Sequence, residues 1–142
     1  MKDQNYKNHA RMVPGYHYYT FLLMLLLLIG SIVNLVKSSG ENLYSASLLV
    51  LVPIILIVVA FYARLFALKA QDRAIKAEEN FRHYLLTGKQ FPANLKMRQV
   101  IGLRFASDEE FPELVIKAVK DKLSEKEIKQ AVKQWKTDYY RV

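Results

Sequence analysis

The chain of 142 residues contains no cysteine, which excludes a disulfide scaffold and a thiol nucleophile. It is short of acid, with 13 Asp+Glu against 21 Lys+Arg, giving a net charge of +8. Its five glycines are scattered, so no Gly-rich phosphate cradle can be assembled, and neither a P-loop nor a G-x-S-x-G elbow is present. The three histidines, His9, His17 and His83, make no H-x-x-x-H pair and have no carboxylate at ligand spacing. Asp108, Glu109 and Glu110 are adjacent, but acids collect naturally in the first turn of a helix, where the dipole favours them. Nothing here argues for an enzyme, and no cofactor or metal is expected.

Charge itself is missing from two long windows. Met12–Val36 has no Asp, Glu, Lys or Arg, and neither has Asn42–Ala63; only Lys37 and Glu41 lie between them. A soluble domain of this length spreads charge over all its surface elements. The remaining chain is too small to cover two such helices on every side, so a soluble core is disfavoured. Tyr18–Val36 corresponds to roughly 28 Å of helix, close to a hydrocarbon core of about 30 Å. Leu43–Ala63 is long enough with modest tilt. Backbone groups in lipid must bond internally, so both read as helices. A cleaved signal peptide is disfavoured, because the first apolar run is long and no small-x-small site follows Val36.

The expected class is therefore an all-α membrane protein. Its parts are an N-terminal segment (1–17), spans over 18–36 and 43–63 joined by a short external loop (37–42), a cytoplasmic extension of the second helix (64–86), and a small helical region (87–142). Basic residues set the orientation. Lys2, Lys7 and Arg11 precede the first span, and Arg64, Lys69, Arg73 and Lys76 follow the second, whereas Lys37 is offset by Glu41. Both termini are thus expected in the cytoplasm. Ser38, Ser39 and Gly40 supply turn chemistry between the spans. Aromatic residues at Tyr16, Tyr18, Tyr19 and Phe21, and at Phe61, Tyr62 and Phe66, suit the inner interface. Gly30, Ser31 and Asn34 are read as close packing between spans, with a pore lining as the alternative. No ionisable residue lies deep in either span, against a proton relay.

No Gly or Pro interrupts Arg64–Leu86, and Thr87-Gly88 is the first stop. Along the second helix, span and extension together, Ala60, Ala63, Ala67, Ala70, Ala74, Ala77, Phe81 and Tyr84 form an unbroken heptad seam that every charge avoids. Alanine at both seam positions admits another helix at short range. The N-terminal segment, the C-terminal helices or a second copy could fill it. Beyond a loop at 87–95, helices are expected over Leu95–Phe105, from the Ser107–Glu110 box through Leu123, and from the Ser124–Glu127 box through Trp135. Residues 64–142 carry 17 basic and 11 acidic side chains. Interleaving of Lys117 to Lys136 with acids reads as a solvated surface, so lipid contact is expected and specific nucleic-acid binding is not.

Gln4–His17, Leu103–Val115 and the ending KQAVKQWKTDYYRV are rich in unusual residue choices. With them the chain resembles, over nearly its whole length, a family of small uncharacterised two-span bacterial membrane proteins, a domain of unknown function. The resemblance implies a bacterial inner-membrane location and carries over no catalytic residue. Asn5, His9, Arg11, Arg104 and Asp108 become candidate polar contacts. The N-terminal segment is expected to dock on the C-terminal helices with His9 and Arg104 involved, the alternative being that Arg104 and Asp108 bridge adjacent helices. The expected role is a non-enzymatic packing or adaptor component of a membrane assembly, self-associated or bound to a membrane-protein partner. The alternative is a small oligomeric pore or transport-associated subunit.

Overall fold

The computed structural model describes residues 4–6, 8 and 12–138. Among them are five α-helices and no strand: α1 (Phe21–Lys37), α2 (Leu43–Thr87), α3 (Met97–Leu103), α4 (Phe111–Lys120) and α5 (Glu125–Ala131). The chain divides into two compact units, Met12–Ala67 and Leu68–Val142 with Met1–Arg11.

In the first unit a π-helical turn, Gly15–Thr20, runs directly into α1. Thr20 closes it with a hydroxyl bond to the Gly15 carbonyl five residues back. The connection to α2 is a single 3-10 turn, Gly40–Asn42, closed by Asn42 N–H on the Ser39 carbonyl. Both helices are long and apolar enough to cross a membrane, and only 6% and 11% of their most apolar windows are buried. What is covered follows a heptad rule. On α1 it is Met24, Leu28, Ser31 and Leu35, and on α2 Ala46, Val50, Pro53, Ile57 and Ala60, alternately four and three residues apart. That period is the signature of helices packed side by side. The most buried members, Ser31, Ala46 and Pro53, are compact, as close approach requires. Tyr16 donates to the Ala60 carbonyl at 2.6 Å, tying the start of the first helix to a late turn of the second and making the pair antiparallel.

The expected packing trio is parted. Ser31 is buried, but its hydroxyl bonds back to Leu28 O within its own helix rather than across. Gly30 and Asn34 are exposed, and a Cβ built on Gly30 meets nothing within 4 Å. The buried stripe passes through Ser31 and leaves Gly30 and Asn34 to either side.

In the second unit, α2 continues to Thr87, where Gly88 takes a left-handed φ of 71° and ends it. The core is built from Ile75 of α2 and Val100, Leu103, Phe111, Val115, Ala118 and Ile128 of the short helices. Gly102 is needed where α3 meets α5, since a Cβ there would stand 3.0 Å from Ile128 Cγ2 and 3.1 Å from the Glu125 carbonyl. The buried Gln99 amide donates to Ala118 O and Leu123 O at 2.7 and 3.0 Å and accepts from Lys96 N–H, joining α3 to the end of α4. α4 ends in a Schellman motif, with Leu123 N–H on Ala118 O and Lys122 in the left-handed region at φ 52°.

Three boundaries differ from expectation. α3 is shorter than Leu95–Phe105 because Phe105 and Ala106 turn away to pair with the tail. α4 starts at Phe111, not at Ser107; the Glu110 carboxylate keeps the box's bond from Ser107 N–H at 3.4 Å and also accepts from the backbone amides of Lys133 and Gln134, both at 3.1 Å. Trp135 is not helical. α5 stops at Ala131, and Trp135 forms an isolated antiparallel bridge with Ala106, its ring stacked on Phe105 at 4.8 Å. The Ser124–Glu127 box forms with both of its reciprocal bonds.

Candidate functional site

Among its described residues the second unit contains a half-buried cluster of charge. Its centre is Arg82, on the face of α2 that carries Ile75 and Glu79. The guanidinium reaches Glu79 at 3.0 Å, Asp108 at 2.6 Å and the Ala106 carbonyl at 2.7 Å, and lies 4.3 Å over the Phe111 ring. One planar fork thus binds α2 to the turn before α4 and to the bridge strandlet. Glu79 is 13% exposed at its side chain. Burial raises its carboxyl above the ordinary value near 4.5, and Arg82, Lys136 and Arg104 work against that rise.

Beside it, Arg104 stacks over Phe105 at 4.7 Å and pairs with Asp138 at 3.3 Å. Asp138 in turn meets the N-terminal segment. Its N–H donates to Gln4 Oε1 at 2.8 Å, and Gln4 Nε2 donates to its carbonyl at 3.5 Å. Glu78, Glu79, Arg104, Lys136 and Asp138 line a cavity of about 260 Å³. A second ion group sits on α5, where Glu125 accepts from Lys129 at 2.6 Å and from Arg98 at 3.3 Å. Burial opposes ionisation of Glu125, but these two cations outweigh it and hold its carboxyl below the ordinary range.

Chemically the cluster is a clasp. Its carboxylates face guanidinium and ammonium groups, and among the described residues no group of three or more His, Cys, Asp or Glu could hold a metal. His83 is buried in the core, bonded through Nδ1 to the Lys89 carbonyl at 2.8 Å and packed on Phe91.

Of the expected polar contacts, Arg104 and Asp108 do not meet. Arg104 takes Asp138, and Asp108 takes Arg82. Asn5 bonds by its N–H to Asn8 Oδ1 at 2.6 Å. His9 and Arg11 lie outside the described residues. The seam is divided. Ala60 and Ala67 are half-buried, whereas Ala63, Ala70, Ala74, Ala77, Phe81 and Tyr84 are exposed. The C-terminal helices cover Ile75, Glu79, Arg82 and His83 instead, on the opposite side of α2. Gln4, Glu79, Arg82 and Asp138 had no sequence signal beyond the i,i+3 spacing of Glu79 and Arg82, which any surface pair shares.

A family model described as "Family of unknown function (DUF6526)" matches residues 1–142. No curated protein matches the chain. No solved structure matches it.

Proposed function

We propose that this chain, which belongs over its whole length to the family of unknown function DUF6526, is an integral membrane protein of two spans that acts without catalysis as a packing or adaptor component of a membrane assembly. One observation carries the reading. Two apolar helices have only 6% and 11% of their most hydrophobic windows buried, and the exposed remainder is a surface that water disfavours and lipid accepts. The bonds between Gln4 and Asp138 support placing both ends of the chain on one side, as an even number of crossings requires. The basic flanks favour the cytoplasmic side of a bacterial inner membrane.

Alkaline extraction of membranes and reporters fused to each end test this reading. The protein is expected in the pellet, with both reporters on the inner face. Release into the wash, or reporters on opposite faces, would overturn it. The second reading, a small oligomeric pore, is favoured by the exposure of Gly30 and Asn34 on α1. Ion flux through proteoliposomes that Asn34→Leu abolishes would select it.

A further inference from the structure

We infer that two copies of this chain associate in parallel through the uncovered face of α2, with Arg73 of each copy paired to Glu78 of the other. The inference rests on the two-span reading for the orientation of the copies, since chains inserted the same way in one bilayer present α2 in the same direction.

The argument begins with which face is already used. If Ala67, Ala74 and Phe81 are the a positions of a heptad and Ala70, Ala77 and Tyr84 the d positions, then Ile75 and Arg82 fall at b, His83 at c and Glu79 at f. Those are the outward positions of a coiled coil. Among the described residues the chain covers these positions itself, together with Gln71 at e and Asn80 at g, which accepts from Phe91 N–H, whereas from Ala70 onward the a and d positions are exposed. The exposed line ends in large side chains, with Phe81 62% and Tyr84 53% exposed. Apolar side chains this large and this exposed ask for a partner.

Charge chooses the partner. Arg73 is at g and Glu78 is at the following e. In a parallel two-stranded coil a g residue faces the e residue five positions later on the other chain, so Arg73 meets Glu78 twice by symmetry. Within one helix these two side chains stand about 140° apart and cannot meet. The positions three and four residues from Arg73 hold Lys69, Ala70, Lys76 and Ala77, which offer it no acid. Among the described residues neither Arg73 nor Glu78 enters an ion pair, although both are exposed and the neighbouring Glu79 and Arg82 do. An antiparallel pairing would set g against g and e against e, which brings no such attraction.

The absence of native cysteine permits a direct test in membranes. Single cysteines are placed in the full chain at each position from 67 to 85 and oxidised. Disulfide yield is expected to peak at Ala70, Ala74, Ala77, Phe81 and Tyr84 and to fall at Lys69 and Lys76. Equal yields throughout, or one maximum that decays in both directions as an antiparallel crossing gives, would overturn the inference. In a second arm, Arg73→Glu or Glu78→Arg alone raises the dimer dissociation constant about tenfold, read by energy transfer between labelled copies, and the double swap restores it. Failure of the double swap to restore association refutes the pairing. Alkaline extraction separates this outcome from the spanning reading. A chain that washes off yet cross-links with this period loses the spanning and keeps the dimer. A chain that stays in the pellet without the period loses the dimer alone.

Discussion

The two units of this molecule solve opposite packing problems. In Met12–Ala67 large apolar side chains point outward, Leu23 at 64% and Ile55 at 58% exposure, while the most buried members of the contact line are Ser31, Ala46 and Pro53. In the unit that includes Leu68–Val142 the order is reversed. Phe105, Phe111, Leu103 and Ile128 are fully buried, and the charges lie outside or pair beneath the surface. The comparison teaches what each unit can use as a driving force. A water-exposed unit gains by hiding large side chains. A unit facing lipid, as the two-span proposal has Met12–Ala67, would gain nothing from that and would rely on close approach of small residues and on hydrogen bonds such as Tyr16 to Ala60.

Substitutions can break this contrast, beginning with the largest effect. Phe111→Ala removes a fully buried ring that also carries Arg82, and it should destabilise the second unit by about 3–5 kcal/mol in thermal unfolding of the full chain in detergent. A loss under 1 kcal/mol would mean that the core is not where the structure places it. Leu49→Arg, at a half-exposed site on the apolar face of α2, should oppose insertion by about 2.5–3.5 kcal/mol and move protein from the alkaline pellet to the wash. In a soluble protein the same exposed substitution would be neutral. Gly102→Ala should cost about 1–3 kcal/mol, because the new methyl has Ile128 and the Glu125 carbonyl in its way. Ala70→Leu should leave unfolding unchanged and weaken self-association instead, by about 1–3 kcal/mol, measured by energy transfer. Lys122→Gly relieves a left-handed backbone and should stabilise the second unit by about 1 kcal/mol.

The smallest effect is a pH dependence with two signs. Glu125 has a lowered carboxyl, so its contribution is present above about 4.5 and is lost as pH falls through the lower folded value. Glu79 has a raised carboxyl, so its effect runs the other way, and stability declines as pH rises from about 4.5 through its folded value. Glu125→Gln should shrink the acid limb of a stability profile measured between about pH 3 and 7, to which the lowered carboxyls of Glu109 and Glu127 also contribute, and leave the Glu79 limb intact.

Features with a period were legible in the amino-acid order. The charge-free windows, the stop at Thr87-Gly88 and the reciprocal Ser124–Glu127 box are local patterns, and the fold contains each of them. The alanine period of α2 marked a face, although not the one its own chain covers, because the covering residues Ile75, Glu79, Arg82 and His83 are mostly polar and carry no hydrophobic stripe. What was not legible depends on partners far apart in the chain. Trp135 looked helical until Ala106 was there to pair with it, and Glu110, legible as the acid that caps Ser107 N–H, also holds the distant amides of Lys133 and Gln134. Asp138 has no local pattern at all, since both Arg104 and Gln4 reach it only through the tertiary fold.

The bond between Gln4 and Asp138 spans 134 positions of sequence. A ribosome delivers the first long before the second, so this fastening cannot close until almost all of the intervening polypeptide has emerged. Both greasy helices must find their place while the early segment waits unfastened, and the closing of the loop becomes a late event of biogenesis.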